Sequence, residues 1–440
     1  MQRQQWAARP PHALRAAILA AGLGKRLEPL TRFLRPKPLF PLGGKSAIAE
    51  LWLRRVAEAG IRDVTMNICV LADAMRAHFG NGAKYATELA YVHEREPSGT
   101  LGGVCKQVFG PAARVLPGEA PLPTPAPFTG STVLVPSGDI VTNIDAALLE
   151  ELCEIHRSRG SALTLLVTPI PPERRKDFGT AVVPSPEKRS GPLSLSGQVS
   201  RFAEKDPNSP SLLNNASVYL IDRELLQQLD RRRTRTDAPS PFYDFGKHVF
   251  PALLDPTRDT ELGGGKYPVF AVQYDGMWFD VGNKRDYLAV HRSLLDGEVD
   301  VPPAYEPLPW GQLGSDVEID LDRVEIQAPV IIGHGCRIEP GATLGPYAVI
   351  GDGWTIRSGA RVRDSVLWER YPFHTRDGRV LPVEERASID RHEVGAVEVR
   401  QSIVAGGSLD VDVIEQTAQV LEDGTLERLS IDWVPEGPRA

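Results

Sequence analysis

The stretch "ILAAGLGKRLEPLTRFLRPKPLFPLGGK", Ile18 to Lys45, passes from an apolar run through two close glycines into a string of cations. Its head, "AAILAA", reads as a buried strand. Gly22 and Gly24 then allow the backbone to approach a ligand and to turn its N–H groups toward it, as a phosphate requires. Two common phosphate loops do not fit. A dinucleotide fingerprint needs a third glycine three residues after Gly24, where Leu27 stands. A P-loop ending at Gly44-Lys45-Ser46 fails at the earlier residues "LFPLG". What remains is Gly22, Gly24, Lys25, Arg26 and, past a proline-punctuated loop, Lys37. Arg26 offers a planar fork and Lys37 a compact point charge, a pair suited to a triphosphate.

Working outward, β-rich runs alternate with helical patterns from Leu14 to about Leu295. "IAELWLRRVAEAG" puts Ile48, Leu51, Trp52 and Val56 on one helical face and stops at Gly60. "IRDVTMNICV" predicts a strand, followed by a helix from an Asp73 N-cap to Gly80. "STVLVPSGD" predicts another strand and "DAALLEELCEIHRSRG" a helix ended by Gly160. Such alternation implies a mostly parallel sheet covered by helices. The proline-rich stretch from Gly110 to Gly130 reads as a surface insertion, and "PSPEKRSGPLSLSG" as a loop between strands.

After "DGEVDVPPAYEPLPWGQLGSD", read as an extended linker, a repeat begins. Ile332, Ile338, Leu344, Ile350, Ile356 and Val362 recur every six residues, with small Cys336, Ala342, Ala348 and Ala360 two residues before their partners. Six-residue periodicity suits a triangular parallel β-helix: each hexad makes one flat side, the aliphatic residue points inward, and coils stack about 4.8 Å apart. Trp354 interrupts the small-residue series, which predicts a bulged corner. The segment 371–395 interrupts the period and reads as a protruding loop.

The 440 residues exceed one ordinary core. No run of 18 apolar residues is available to span a bilayer, which argues against a membrane protein. The start, "MQRQQWAARPPH", lacks the apolar core of a secretory signal, so a cytoplasmic location is expected. Cys69, Cys105, Cys153 and Cys336 lie far apart and read as reduced, mostly buried thiols. A net charge of −7 disfavours broad binding to nucleic acid. The cationic run Arg231 to Arg235 reads as a solvated loop.

With these residues in view, "LAAGLGKRLEPLTRFLRPKPLFPLGGK" resembles the signature of the sugar-1-phosphate nucleotidyltransferases. "YVHEREPSGTLGGV", "VPSGDIVTNID", "RFAEKDP", "NNASVYL", "FYDFGKHVFP" and "MWFDVGN" follow in the order that family requires. The resemblance covers most of Leu14 to Leu295 and implies an α/β, Rossmann-like nucleotidyltransferase domain over 12–295. A linker at 296–315, a hexapeptide-repeat left-handed parallel β-helix over 316–420 and a tail at 421–440 complete the expected organisation.

The resemblance also implies a chemistry. Ala21, Gly22, Leu23, Gly24 and Gly102 are expected at the nucleotide, with Arg26 and Lys37 as the catalytic cations on its phosphates. Glu204, Lys205 and Asn215 match positions for the sugar phosphate, and Asp139 and Asp280 match the pair that holds Mg²⁺. That ion suits one or two carboxylates plus substrate phosphates. The implied substrates are an NTP, GTP in the first instance, and a sugar 1-phosphate, taken as mannose 1-phosphate. Uridylyl, thymidylyl or adenylyl transfer to glucose 1-phosphate, or a non-catalytic sugar-nucleotide-binding subunit, are the alternatives. No nucleic-acid or membrane partner is expected, and the β-helix is expected to mediate homo-oligomerisation. Lys25, Ser98, Ser137 and Ser217 depart from frequent family residues, the last three on the expected substrate side.

Overall fold

The computed structural model describes residues 14–33, 35–110, 128, 130–234, 243–255, 257, 265–369, 392–421 and 425–434. By compactness the chain divides into two units. The first takes the chain up to Gly22 and Trp52–Trp278; the second takes Leu23–Leu51 and the chain from Phe279 onward.

The first unit is built on an eleven-stranded sheet. Its spatial order runs Glu187–Lys188, Leu193–Gln198, Val269–Tyr274, Leu163–Pro169, Leu213–Asp222, Thr132–Pro136, Leu14–Leu19, Asp63–Ile68, Glu88–His93. Gly179–Val182 and Arg201–Glu204 attach beside Leu213–Asp222. The half that carries the glycine turn is parallel: Leu14–Leu19 pairs in parallel with Asp63–Ile68 on one side and Thr132–Pro136 on the other. Leu213–Asp222 runs antiparallel to both of its neighbours, Thr132–Pro136 and Leu163–Pro169. Ala16, Ala17 and Ile18 are fully buried, and Ala17 shares a core with Leu101, Val104 and Cys105 of helix Gly99–Phe109. The carboxyl ends of such strands are where open α/β sheets bind ligands.

Helix Ile48–Glu58, in which the division between the units falls, buries Ile48, Leu51, Trp52 and Val56 as the spacing requires. Helix Ala146–Ser158 is capped by Asp145, whose carboxylate accepts from Leu148 N at 2.8 Å. Helix Ala72–Phe79 departs from expectation. Its N-cap is Leu71, not Asp73, because Arg76 one turn on takes the Asp73 carboxylate at 3.0 Å. The "PSPEKRSGPLSLSG" stretch is no loop either: Glu187–Lys188 and Leu193–Gln198 pair as an antiparallel hairpin turned at Gly191, φ +93°. Arg231, Arg232 and Arg233 likewise close helix Arg223–Thr234, where cations complement the carbonyl end, and Arg233 binds Asp230.

The second unit contains a parallel β-helix of three sheets whose strands recur every third element. Val330–Ile332 pairs with Ala348–Ile350, Arg337–Ile338 with Thr355–Ile356, and Thr343–Leu344 with Arg361–Arg363, all parallel. The six aliphatics of the hexad series and Cys336, Ala342, Ala348 and Ala360 are buried in one core. Trp354 makes no bulge. Its indole is fully buried and donates to Trp368 O at 2.8 Å, while Thr355 and Ile356 keep parallel register with both neighbouring coils. Strands Glu306–Leu308 and Gly311–Leu313 extend the first of these sheets back into the stretch read as linker. At the other end Gln416–Val420 pairs antiparallel with Leu426–Ser430.

All four cysteines are free; Cys105 and Cys336 are buried, Cys69 and Cys153 half-buried. Among the described residues no helix is long and apolar enough to cross a membrane. The expected insertions at 110–130 and 371–395 lie largely outside the described residues.

Candidate active site

The turn that leaves strand Leu14–Leu19 is held from behind by a buried polar relay. Ala20 N donates to Asn67 Oδ1 at 2.8 Å, and Asn67 Nδ2 donates to Glu94 Oε1 at 2.6 Å. Glu94, 1% exposed, accepts Ser98 N at 3.0 Å and Lys106 Nζ at 3.1 Å through Oε2, which also takes the Ser98 hydroxyl. Sequence reading finds none of these as a unit, because polar residues so far apart resemble ordinary surface positions. Ser98, expected to face substrate, is buried with its hydroxyl committed to Glu94.

Ala21 is buried and Leu23 exposed at the turn. A Cβ at Gly22 would meet nothing within 4 Å, so no neighbour forces glycine there and the space over the loop is open. Gly24 differs: at φ +63° its Cβ would lie 2.8 Å from Thr31 Cγ2, and Thr31 Oγ1 donates back to Gly24 O at 3.0 Å. The turn is therefore rigid on one side of Gly24 and open at Gly22.

The second unit gathers three of the expected residues. Lys25 and Arg26 are exposed on the 3₁₀ turn Lys25–Leu27. The Arg26 guanidinium lies over Gly282, where a Cβ would sit 3.1 Å from Nη2. Lys37, 9% exposed, places Nζ 3.4 Å from Asp280 Oδ1, across 243 residues of sequence. Asp280 ends strand Trp278–Asp280, Gly282 N returns to its carbonyl at 2.7 Å, and Asn283 caps helix Lys284–Leu295.

The first unit holds Asp139, Glu204, Lys205, Asn215 and Gly102. Asp139 is half-buried, and Ser137 Oγ donates to its Oδ1 at 2.6 Å. Gly138 N donates to Leu19 O at 2.8 Å, so this turn abuts the end of the glycine strand. Ser137 N donates to Ser217 O at 3.0 Å. Ser217 sits at φ +57°, the region that favours glycine, and the Asn215 side chain braces it. Asn215 Oδ1 accepts Ser217 N at 3.1 Å while its Nδ2 donates to Tyr219 Oη at 2.8 Å. The Tyr219 phenol, buried, is pushed up to about 12 by that burial. Glu204 closes strand Arg201–Glu204 with its carboxylate wedged between Gly179 and Gly246, where Cβ atoms would stand 2.6 and 2.3 Å from Oε2. Burial raises the Glu204 carboxyl above its usual range, opposed by the charges of Lys205 and Lys247. Lys205 is exposed, at φ +51°. Gly102 is buried in helix Gly99–Phe109, a Cβ there lying 2.6 Å from Ser98 Oγ. The entry to that helix is fixed at Gly99, φ +77°, whose Cβ would overlap Tyr243 O.

For a metal, the donor set is the test. Asp139 and Asp280 supply hard carboxylate oxygens, and Asp280 already attracts a cation, the Lys37 ammonium. Among the described residues no cluster of three or more His, Cys, Asp or Glu side chains forms a metal cage. Mg²⁺ requires none, because it keeps waters and takes substrate phosphates beside one or two carboxylates. The two aspartates therefore fit that ion in kind.

The family model for nucleotidyl transferases matches residues 15–297. The chain belongs to the nucleotidyl transferase family. Its motifs and relatives make it a sugar-1-phosphate nucleotidyltransferase. It is 28% identical over 360 residues to a UTP–glucose-1-phosphate uridylyltransferase of Synechocystis sp., covering 81% of this chain and 83% of that protein. It is 27% identical to a mannose-1-phosphate guanylyltransferase of Mycobacterium tuberculosis, covering 82% and 84%. A mannose-1-phosphate guanylyltransferase catalytic subunit beta of Drosophila pseudoobscura pseudoobscura is 26% identical, covering 74% and 72%. The nucleotidyl transferase match spans the glycine turn, both aspartates and the Glu204-Lys205 strand end.

Proposed function

We propose that this nucleotidyltransferase joins GTP and mannose 1-phosphate to give GDP-mannose and pyrophosphate. The observation that carries the reading is the convergence of Arg26, Lys37 and Asp280 within one unit, with buried Lys37 against the Asp280 carboxylate and exposed Arg26 over Gly282, two residues on. A phosphate oxygen of the sugar 1-phosphate attacks the α-phosphorus of the nucleotide; the bond from that phosphorus to the β-bridging oxygen breaks, and its electron pair leaves with pyrophosphate. No covalent enzyme intermediate is required, so the residues act by positioning and charge. Backbone N–H groups of Ala21 to Gly24 orient the triphosphate, Arg26 grips it with a planar fork, and Lys37 spreads its charge over the crowded phosphates. Lys205 holds the sugar phosphate, and Glu204 and Asn215 receive sugar hydroxyls. Gly102 lies in the helix that backs the base and sugar. When bound to Asp139 and Asp280, Mg²⁺ supplies charge neutralisation on the phosphates.

Glu204 is a half-buried carboxylate beside two cations, able to accept from neighbouring hydroxyls. The guanylyl and mannosyl choice is supported by relatives of that name from several organisms. The uridylyltransferase of Synechocystis, at 28% identity, favours UTP with glucose 1-phosphate as the second reading. Pyrophosphate release measured for each NTP with each of the two sugar 1-phosphates separates them. Fastest release with GTP and mannose 1-phosphate is expected; fastest release with UTP and glucose 1-phosphate would install the second reading. We also assign self-association to the β-helix and a cytoplasmic site of action. Light scattering on the purified chain tests the former, a monomeric mass counting against it.

A further inference from the structure

Lys37 stands on a stiff piece of chain. Pro36 precedes it at φ −65° and ψ 149°, Pro38 follows, and the 3₁₀ turn Lys37–Leu39 closes through Phe40 N to Lys37 O at 3.0 Å. Displacing either end of this segment therefore displaces the ammonium. Both ends are seated on the second unit's own β-helix and helix Lys284–Leu295. Before Lys37, Arg35, 2% exposed, donates from Nη1 to Glu369 Oε1 at 2.7 Å and from Nη2 to Glu369 O at 3.4 Å. Its guanidinium lies 5.1 Å above the Trp368 ring. After Lys37, the Phe40 ring packs edge-on against Trp368 at 4.7 Å and Tyr287 at 5.4 Å. Trp368 Nε1 donates to Tyr287 Oη at 3.0 Å, and that hydroxyl donates to Pro41 O at 2.5 Å. Trp368 and Glu369 directly follow strand Ser365–Leu367 of the β-helix.

We infer that Glu369 is a positioning residue for Lys37: the β-helix, through the Glu369–Arg35 pair and the Trp368 ring, fixes where the ammonium stands relative to Asp280. The repeat domain is then a working part of the active site and not only an assembly surface. Nothing in the "LRPKPLFPLGGK" motif signals this, since Arg35 and Glu369 are 334 residues apart. The pair is enclosed, with side-chain exposures of 3% and 13%, so water replaces a lost partner poorly. A shift of about 1 Å in a reacting group costs about 10²-fold in rate.

Two variants test the inference on the full chain. Glu369→Gln keeps the shape and removes the charge. Arg35→Met with Glu369→Leu replaces the pair by apolar side chains, an exchange that leaves stability near or above wild type in other enclosed pairs. Brief acylation followed by mass spectrometry reads Lys37 directly, with exposed Lys25 and Lys188 as internal references. Lys37 is expected to label several-fold faster in both variants, the references being unchanged. Equal Lys37 labelling in wild type and in the folded double variant would overturn the inference. The kinetic arm rests on the proposed reaction. There kcat should fall about 10²-fold with KM for the nucleotide moving less than about threefold, and should stay low in the double variant although its melting temperature recovers. Wild-type kcat in that stable variant would reduce the pair to scaffold. A wild-type enzyme that releases no pyrophosphate would count against the reaction, and the labelling comparison would still decide the role of Glu369.

Discussion

Replacing Glu94 by alanine strikes the relay that holds the glycine turn. The carboxylate is 1% exposed and serves Asn67 Nδ2 at 2.6 Å, Ser98 N at 3.0 Å, Lys106 Nζ at 3.1 Å and the Ser98 hydroxyl. Removing it strands the Ser98 N–H and one Asn67 N–H in the interior, at about 1–3 kcal/mol each. The Ser98 hydroxyl can rotate, and the Lys106 side chain, 31% exposed, reaches water, so these partners add little. The sum is about 4 kcal/mol, within the range of about 3–5 kcal/mol for breaking a buried pair from one side. Because Asn67 also holds Ala20 N at 2.8 Å, the glycine turn loosens with the relay. The affinity for nucleotide should therefore fall along with stability. Urea titration followed by tryptophan fluorescence gives the first quantity, and KM for the nucleotide the second. Lys106→Met is the matched comparison: it leaves the Asn67 and Ser98 N–H groups paired with the carboxylate and is expected to cost less than Glu94→Ala. A Glu94→Ala protein no less stable than Lys106→Met, with an unaltered KM, would refute the relay.

Asp139→Asn and Asp280→Asn should each lower Mg²⁺-dependent turnover by about 10²–10³-fold with little change in melting temperature, by analogy with the loss of one electrostatic partner; wild-type rates in either would defeat the metal assignment. Gly246→Ala puts a methyl group 2.3 Å from the present position of Glu204 Oε2, which forces the carboxylate to move, and should raise KM for the sugar 1-phosphate more than KM for the nucleotide. Equal KM values for the sugar phosphate in wild type and variant would remove Glu204 from the sugar site. Lys284 is brought down to about 8 by burial, against the raising effect of Asp432 and Glu28. Its unfolded form keeps the proton up to about pH 10.4, so between about pH 8 and 10 the unfolded chain binds more protons and stability gains from rising pH. Wild type minus Lys284→Met should therefore show an unfolding free energy that increases across that window, and a flat difference would show that Lys284 titrates normally.

What could be read from sequence follows from how strongly a position limits its residue. The hexad aliphatics are legible because each faces a narrow β-helix interior, and the period alone announces them. Trp354 was open to misreading because periodicity registers size and not direction; the indole turned inward and found Trp368 O. Asp73 looked like an N-cap by type and place, yet Arg76 competes for the same carboxylate. Gly22 and Gly24 were legible together, but only the structure separates the one opened to space from the one fixed against Thr31. The Asn67–Glu94–Ser98 relay and the Arg35–Glu369 pair were not legible. Their members are polar residues whose partners come from distant strands, and a single sequence carries no mark of burial for such residues. That Lys37 and Asp280 belong to one site came only from a family resemblance, and nothing in the sequence signals their 3.4 Å approach.

The most direct measurement is phosphorus NMR of GTP and mannose 1-phosphate mixed with the protein and Mg²⁺. The paired resonances of a sugar-linked diphosphate should grow in step with free pyrophosphate while both substrates disappear in equal amounts. Orthophosphate as the sole product, or no change with any nucleotide and sugar phosphate, would contradict nucleotidyl transfer by this chain.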